Sequence, residues 1–153
     1  MLTQETINKI KEISGEFFEK TTLVVEIEFL PEKEGILPIN VKSEEPQILI
    51  GEGGQTLIEI QHLLKLMLKK KIKEEFRIDL DINDYKKKKI EYLKEIAISV
   101  ADEVVLAKKE KALAPMPAYE RRIIHLALVD RTDVAAESIG EEPERRIIIK
   151  PRT

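Results

Sequence analysis

Apolar residues recur along this chain with two different periods, and the switch between them divides the sequence into elements. Ile7, Ile10, Ile13 and Phe17 repeat at helical spacing behind Thr3, a residue type that caps helices, with Leu2 and Ile7 set as a hydrophobic staple. This predicts a first helix ending near Lys20. Val25, Ile27 and Phe29 then alternate with Glu26 and Glu28, PEKEG makes a turn, and Ile39 and Val41 alternate with Asn40 and Lys42. Two strands paired as a hairpin are expected. Pro46 opens a short apolar segment over 47–50 that runs into Gly51, Glu52, Gly53 and Gly54, and a second helical pattern follows through Leu57, Ile60, Leu64 and Met67. Phe76, Ile78, Leu80 and Ile82 alternate strictly with Arg77, Asp79 and Asp81, the mark of a half-buried strand. The first half reads αββααβ.

Near Asn83 the pattern changes. Ile90, Leu93, Ala97, Val100, Val104 and Ala107 form a stripe that predicts one long amphipathic helix over 83–111. Pro115 and Pro117 precede a short helix over 118–128, on which Ile123, Leu126 and Ala127 are expected to face a core. Two more strands are expected over 134–138 and 145–150, separated by a turn containing Gly140 and Pro143.

Composition narrows the function. The chain has 153 residues, 42% apolar and 36% charged, and no cysteine, which excludes a disulfide scaffold, a Cys-ligated metal and a thiol nucleophile. No uncharged stretch reaches the ~18–20 apolar residues of a membrane span. The opening MLTQETINKI lacks the basic and apolar regions of an export signal, so a cytoplasmic location is expected. The net charge of -3 conceals an uneven distribution: residues 65–94 hold 11 positive and 6 negative side chains, whereas 1–35 hold 4 and 8.

Three features carry candidate chemistry. Three of the six glycines fall within four residues at the start of a helix, where unpaired N–H groups and the positive end of the dipole suit phosphate. A helix–GxxG–helix unit of this kind clamps about four nucleotides beside an apolar groove. Glu52 opposes that use: a carboxylate ~6 Å from a phosphate costs from ~0.7 kcal/mol in water to ~3 kcal/mol at an effective dielectric near 20. Secondly, Lys86, Lys87, Lys88 and Lys89 crowd the first turn of the long helix, against its dipole, with Asp84 and Glu91 as the nearby compensation in sequence. They form a candidate phosphate patch. Thirdly, Arg121 and His125 lie four apart on one helix face next to Arg122, and Arg146 and Lys150 share one side of the last strand, where they are expected to extend the same surface.

The element order αββααβ around GxxG is that of a type II KH domain. PMPAYERRIIHLAL followed by GEEPERRIIIKPR closely resembles the R-3-H domain, a small fold that binds single-stranded nucleic acid. Together they make the whole chain similar to the KH and R-3-H portion of the Jag family (SpoIIIJ-associated proteins, also called KhpB or EloR). The resemblance implies an α+β protein with a type II KH domain over 1–83, a bridging helix over 84–111 and an α/β R-3-H domain over 112–153 that includes part of that helix. It also implies binding of single-stranded RNA, with single-stranded DNA as the variant, through Gly51, Glu52, Gly53, Gly54, Arg121 and His125. A small KH-only partner protein occurs for some family members. Two departures are Glu52 and the lack of the N-terminal Jag domain that many relatives carry. No cofactor, metal site or catalytic residue is expected, since the two histidines, His62 and His125, form no metal triad and Arg121/His125 lack a second acid or base. The competing reading is a protein–protein adaptor whose KH loop no longer touches RNA.

Overall fold

The computed structural model describes all residues, Met1–Thr153, and they form two compact units, Met1–Lys86 and Lys87–Thr153. The first runs α1 (Gln4–Glu19), β1 (Val25–Phe29), β2 (Ile36–Ser43), α2 (Pro46–Ile50), a 3-10 turn (Glu52–Gly54), α3 (Gln55–Lys71) and β3 (Arg77–Ile82). β1 and β2 pair antiparallel as the hairpin, and β2 pairs parallel with β3, so the sheet order is β1-β2-β3. A parallel pair needs a crossover, which α2, the turn and α3 supply.

Period-two alternation sends Leu37, Ile39 and Val41 of β2 and Ile78, Leu80 and Ile82 of β3 to one face, against Ile10 and Phe18 of α1 and Leu57, Leu64 and Leu68 of α3. The other face carries Glu26, Glu28, Lys42, Arg77 and Asp79, all exposed. Thr3 caps α1 as its sequence position suggests, with Oγ1 accepting the Thr6 N–H at 3.2 Å. The Thr6 and Thr3 hydroxyls also donate to Glu74 and hold its carboxyl below the ordinary value of 4.5. After β3, Asn83 and Asp84 both take positive φ. The Asn83 carboxamide behaves as an extra peptide unit, accepting from Ser43 N–H and donating to Ser43 C=O, each at 2.8 Å.

The second unit contains most of α4 (Tyr85–Ala107), then β4 (Lys111–Ala112), α5 (Ala118–Leu128), β5 (Val134–Ile139) and β6 (Arg146–Pro151). Its sheet, β4-β6-β5, is antiparallel throughout. Leu93, Ala97, Val100, Ala101 and Val104 of α4 and Ile124 and Leu128 of α5 share a core with Val134, Ile147 and Ile149. Arg131 ties the loop after α5 to α4, gripping Asp133 at 2.7 and 2.8 Å and Asp102 at 2.8 Å. The bond from Arg131 holds the Asp133 carboxyl below its ordinary value.

Three expectations need correction. The helix predicted over 83–111 begins at Tyr85 and stops at Ala107, because Lys108 turns to positive φ, and residues at its predicted end form β4 on the sheet instead. Ile90 and Ala107, both assigned to the stripe, are exposed. Leu126 faces solvent rather than the core, because Arg121, Ile124 and Leu128 take the buried side of α5.

Two stability predictions follow from these contacts. Asn83→Ala removes both partners of the Ser43 peptide groups and should cost about 1–3 kcal/mol, read as a lower urea midpoint with an unchanged m value. Glu74 and Asp133 titrate lower folded than unfolded, so their contribution is present above the unfolded values of 4.5 and 3.8 and disappears as pH falls through the folded ones. Glu74→Gln should therefore lower the urea midpoint at pH 7, with the gap from wild type closing toward pH 3.

Candidate nucleic-acid interface

The glycine corner is built by close approach. Gly51, Gly53 and Gly54 all take positive φ, at 71°, 60° and 82°. A Cβ on Gly51 would lie 2.1 Å from Thr56 Oγ1, and one on Gly54 would lie 2.9 Å from the Tyr85 ring, whereas one on Gly53 would meet nothing within 4 Å. Two of the three glycines are thus required by the turn itself, and Gly53 leaves its backbone open to a ligand. No side chain caps the N terminus of α3, and Glu52 is exposed beside it. Tyr85, which pattern reading passed over, packs against the loop from the start of α4. Its distance along the chain from Gly54 hides that contact from any local motif.

The lysine run divides. Lys86 Nζ lies 2.7 Å from Asp79 Oδ1 and donates to Gln61 Oε1 at 2.9 Å, while its N–H donates to the Asp81 carboxylate at 3.0 Å. Asp81 therefore caps the helix terminus that the cations would otherwise destabilise, so compensation comes from Asp79 and Asp81 rather than from Asp84 and Glu91. Lys89 sits 3.9 Å from the buried Glu120 carboxylate and 5.7 Å over the Tyr92 ring. Lys87 and Lys88 are exposed and form no ion pair.

On α5, Arg121 is 8% exposed. Its Nη1 donates to Met116 C=O at 2.6 Å, and its Nη2 lies 2.9 Å from Glu142 Oε1. Arg121 thus anchors the 140–145 loop, and an incoming phosphate would have to replace Glu142. His125 is half-buried on the same flank, and Arg122 is exposed. Tyr119, Arg122, Leu126 and Val129 follow one another at i, i+3, i+7 and i+10 along the outer face, with Leu126 60% and Val129 70% exposed. This mixed apolar and cationic stripe was not legible as a site, because its leucine reads as core.

Arg146 and Lys150 do not extend that surface. Helix α5 packs on the sheet face bearing Ile147 and Ile149, and alternation along β6 turns Arg146 and Lys150 to the other face. There Lys150 Nζ lies 3.0 Å from Glu137, whose bond raises the ammonium pKa, and Arg146 Nη2 lies 3.5 Å from Glu144.

Comparison with known proteins assigns a domain to the second unit. Residues 91–151 match the R-3-H domain. Over 148 residues, 95% of this chain and 67% of the relative, the sequence is 36% identical to RNA-binding protein KhpB of Clostridium symbiosum. The proteins of that name from Bacillus subtilis and Lactiplantibacillus plantarum are 34% and 31% identical over 112 and 114 residues. This chain belongs to the Jag/KhpB family. The matched segments make up 54% and 35% of those last two relatives, which are longer proteins.

The steric distinction among the glycines is testable by thermal denaturation. Gly51→Ala should lower the midpoint substantially, because backbone or Thr56 must move, whereas Gly53→Ala should cost only the ~1 kcal/mol of a left-handed alanine.

Proposed function

We propose that this protein binds single-stranded RNA through two separate sites, the glycine corner of the first unit and the outer flank of α5. One observation carries the reading: the alignment to an RNA-binding relative takes in 95% of this chain, so it includes both the corner and α5. The order αββααβ, with its central β2 flanked by antiparallel β1 and parallel β3, supports a type II KH domain over 1–83. On the same reading 84–111 is the bridging helix and 112–153 completes the R-3-H domain.

In the first site Gly51, Gly53 and Gly54 bring the main chain within reach of phosphate, and Glu52 weakens the grip. In the second, Arg122 and His125 make the first contacts with phosphate or base, and Arg121 joins when Glu142 gives way. Lys87 and Lys88 supply further phosphate contacts. Arg146 and Lys150 act on their own sheet face. With no tryptophan in the chain, sequence preference is modest. The relatives compared above are named as RNA-binding proteins, which favours binding over catalysis. A small KH-only protein is the protein partner that fits this reading.

Exposed Glu52 and the occupied Arg121 favour one rival, an adaptor that has lost RNA. Anisotropy with a random single-stranded RNA pool at two salt concentrations separates them, with single-stranded DNA in a parallel arm. Wild type should bind more weakly as salt rises. Arg122→Ala/His125→Ala should weaken binding and flatten the salt slope by about 1. Glu52→Lys should tighten it by up to about tenfold at low salt, since two unit charges change at ~0.7 kcal/mol each. Absence of RNA binding by wild type at low salt would give the case to the adaptor.

A further inference from the structure

The two edges of the first sheet are finished differently. On β3, Gln61 of α3 occupies the edge: its Oε1 accepts the Leu80 N–H at 3.0 Å and its Nε2 donates to Ile78 C=O at 3.5 Å. On β1, the other edge strand, the side-chain bonds to the backbone nearest the strand end at Leu23 and Gly35. The Leu30 N–H donates to Pro38 C=O at 3.0 Å, which sets the phase of the β1–β2 ladder. Antiparallel bonding alternates, so Glu26 and Glu28 direct their peptide groups at β2, while Val25, Ile27 and Phe29 direct theirs outward. Such an edge accepts another extended chain unless something blunts it.

Helix α1 leaves room for one. Its flank toward α3 is filled, with Ile13 and Phe17 sharing a cavity wall with Met67. Its other flank overhangs β1, where Lys11 Nζ sits 5.7 Å from the Phe29 ring centroid. The short segment 20–24 reverses the chain between α1 and β1, so the two run in opposite directions. Four helical residues advance ~6 Å and two strand residues ~6.8 Å, which sets Gly15, one turn after Lys11, level with Ile27. Glycine is the poorest helix former after proline. Nothing in the fold calls for it at position 15, where the backbone is helical and a Cβ would meet no atom within 4 Å. Gly15 is therefore a notch, level with the middle of the open edge, that the chain's own side chains leave unfilled.

Charge selects the occupant. Residues 1–35 hold 4 positive and 8 negative side chains. Exposed Glu26 and Glu28 stand on the open face of β1, and Glu12 and Glu19 are exposed on α1; of these four, only Glu28 has a cation within 4 Å, Lys42 at 3.8 Å. A nucleic acid would be repelled here. A second copy pairing through β1 would set Glu26 and Glu28 against their own counterparts, which like-charge pairing disfavours.

We infer that the β1 edge is a docking site for an extended segment of a protein partner, one that alternates basic and apolar residues. The segment adds a fourth strand to the sheet through the outward peptide groups of Val25, Ile27 and Phe29. Its basic side chains lie on the face of Glu26 and Glu28, and its apolar ones turn toward α1, one of them seated at Gly15. This site is independent of RNA binding.

The probe is a blocked eight-residue peptide alternating lysine and valine, titrated into the full-length chain and followed by peptide fluorescence anisotropy and by amide resonances of the protein. Shifts and slowed amide exchange should centre on Gly15, Val25, Ile27 and Phe29. An isomer with its lysines and valines in two blocks should bind about tenfold more weakly or worse, because it cannot place charge on one face and valine on the other. Gly15→Leu should abolish binding while leaving the thermal midpoint unchanged or higher, so its loss of binding is not a loss of fold. Glu26→Lys/Glu28→Lys should transfer the preference to a peptide alternating glutamate and valine. Equal binding of the two isomers, or full binding by Gly15→Leu, would overturn the inference. So would oligouridylate perturbing these same amides, or self-association of the free chain that Ile27→Pro abolishes, since RNA or a second copy would then be the occupant.

Discussion

A three-stranded sheet under a single layer of helices can bury only one of its faces, and in both units this governs the placement of charge. In the first, Leu37, Ile39, Val41, Ile78, Leu80 and Ile82 are the buried parity, so Glu26, Glu28, Arg77 and Asp79 have to be the exposed one. In the second, Ile147 and Ile149 turn inward, and Arg146 and Lys150 turn outward with the same necessity. Shifting either register by one residue would exchange the two sets and bury several charges without partners.

Once the faces are assigned, the remaining cations differ in what they touch. Lys86, Lys89, Arg121, Arg131, Arg146 and Lys150 each have a carboxylate within 4 Å. Those pairs knit turns and helix ends together, as Arg121 does for the 140–145 loop. Lys65, Lys69, Lys73, Arg77, Lys87, Lys88 and Arg122 have no such carboxylate, and they lie beside cavities or on open helix faces. A cation already paired must trade one anion for another when phosphate arrives, with little net gain. An unpaired one adds its full screened attraction, together with the entropy of released counterions. The unpaired set is therefore where affinity for a polyanion should concentrate, while a buried residue such as Arg121 serves the fold as much as any ligand.

Much of this was legible along the chain. Alternation located β1, β2 and β3, the 3.6-residue stripe located α1 and α3, and turn residues such as Pro115, Pro117, Gly140 and Pro143 bracketed α5, β5 and β6, because each of those signals is local. The glycine triplet marked the corner, and the ERRIIH segment marked α5. The two-residue β4 was not legible, since its partners on β6, Ile149 and Ile148, lie 38 and 36 residues away and its own residues, Lys111 and Ala112, have no alternation to show.

The sequence by itself determined which residues could be buried together and where the chain had to turn, since side-chain period and glycine or proline placement are properties of neighbouring residues. Tertiary structure alone decided which cations were free. Arg121 and Arg122 are chemically the same and adjacent, yet one is held between Met116 and Glu142 while the other stands in solvent. Likewise Gln61 closes an edge that becomes an edge only when β3 joins β2. Ion pairing and edge closure depend on distances between segments far apart in the chain, and those distances exist only after folding.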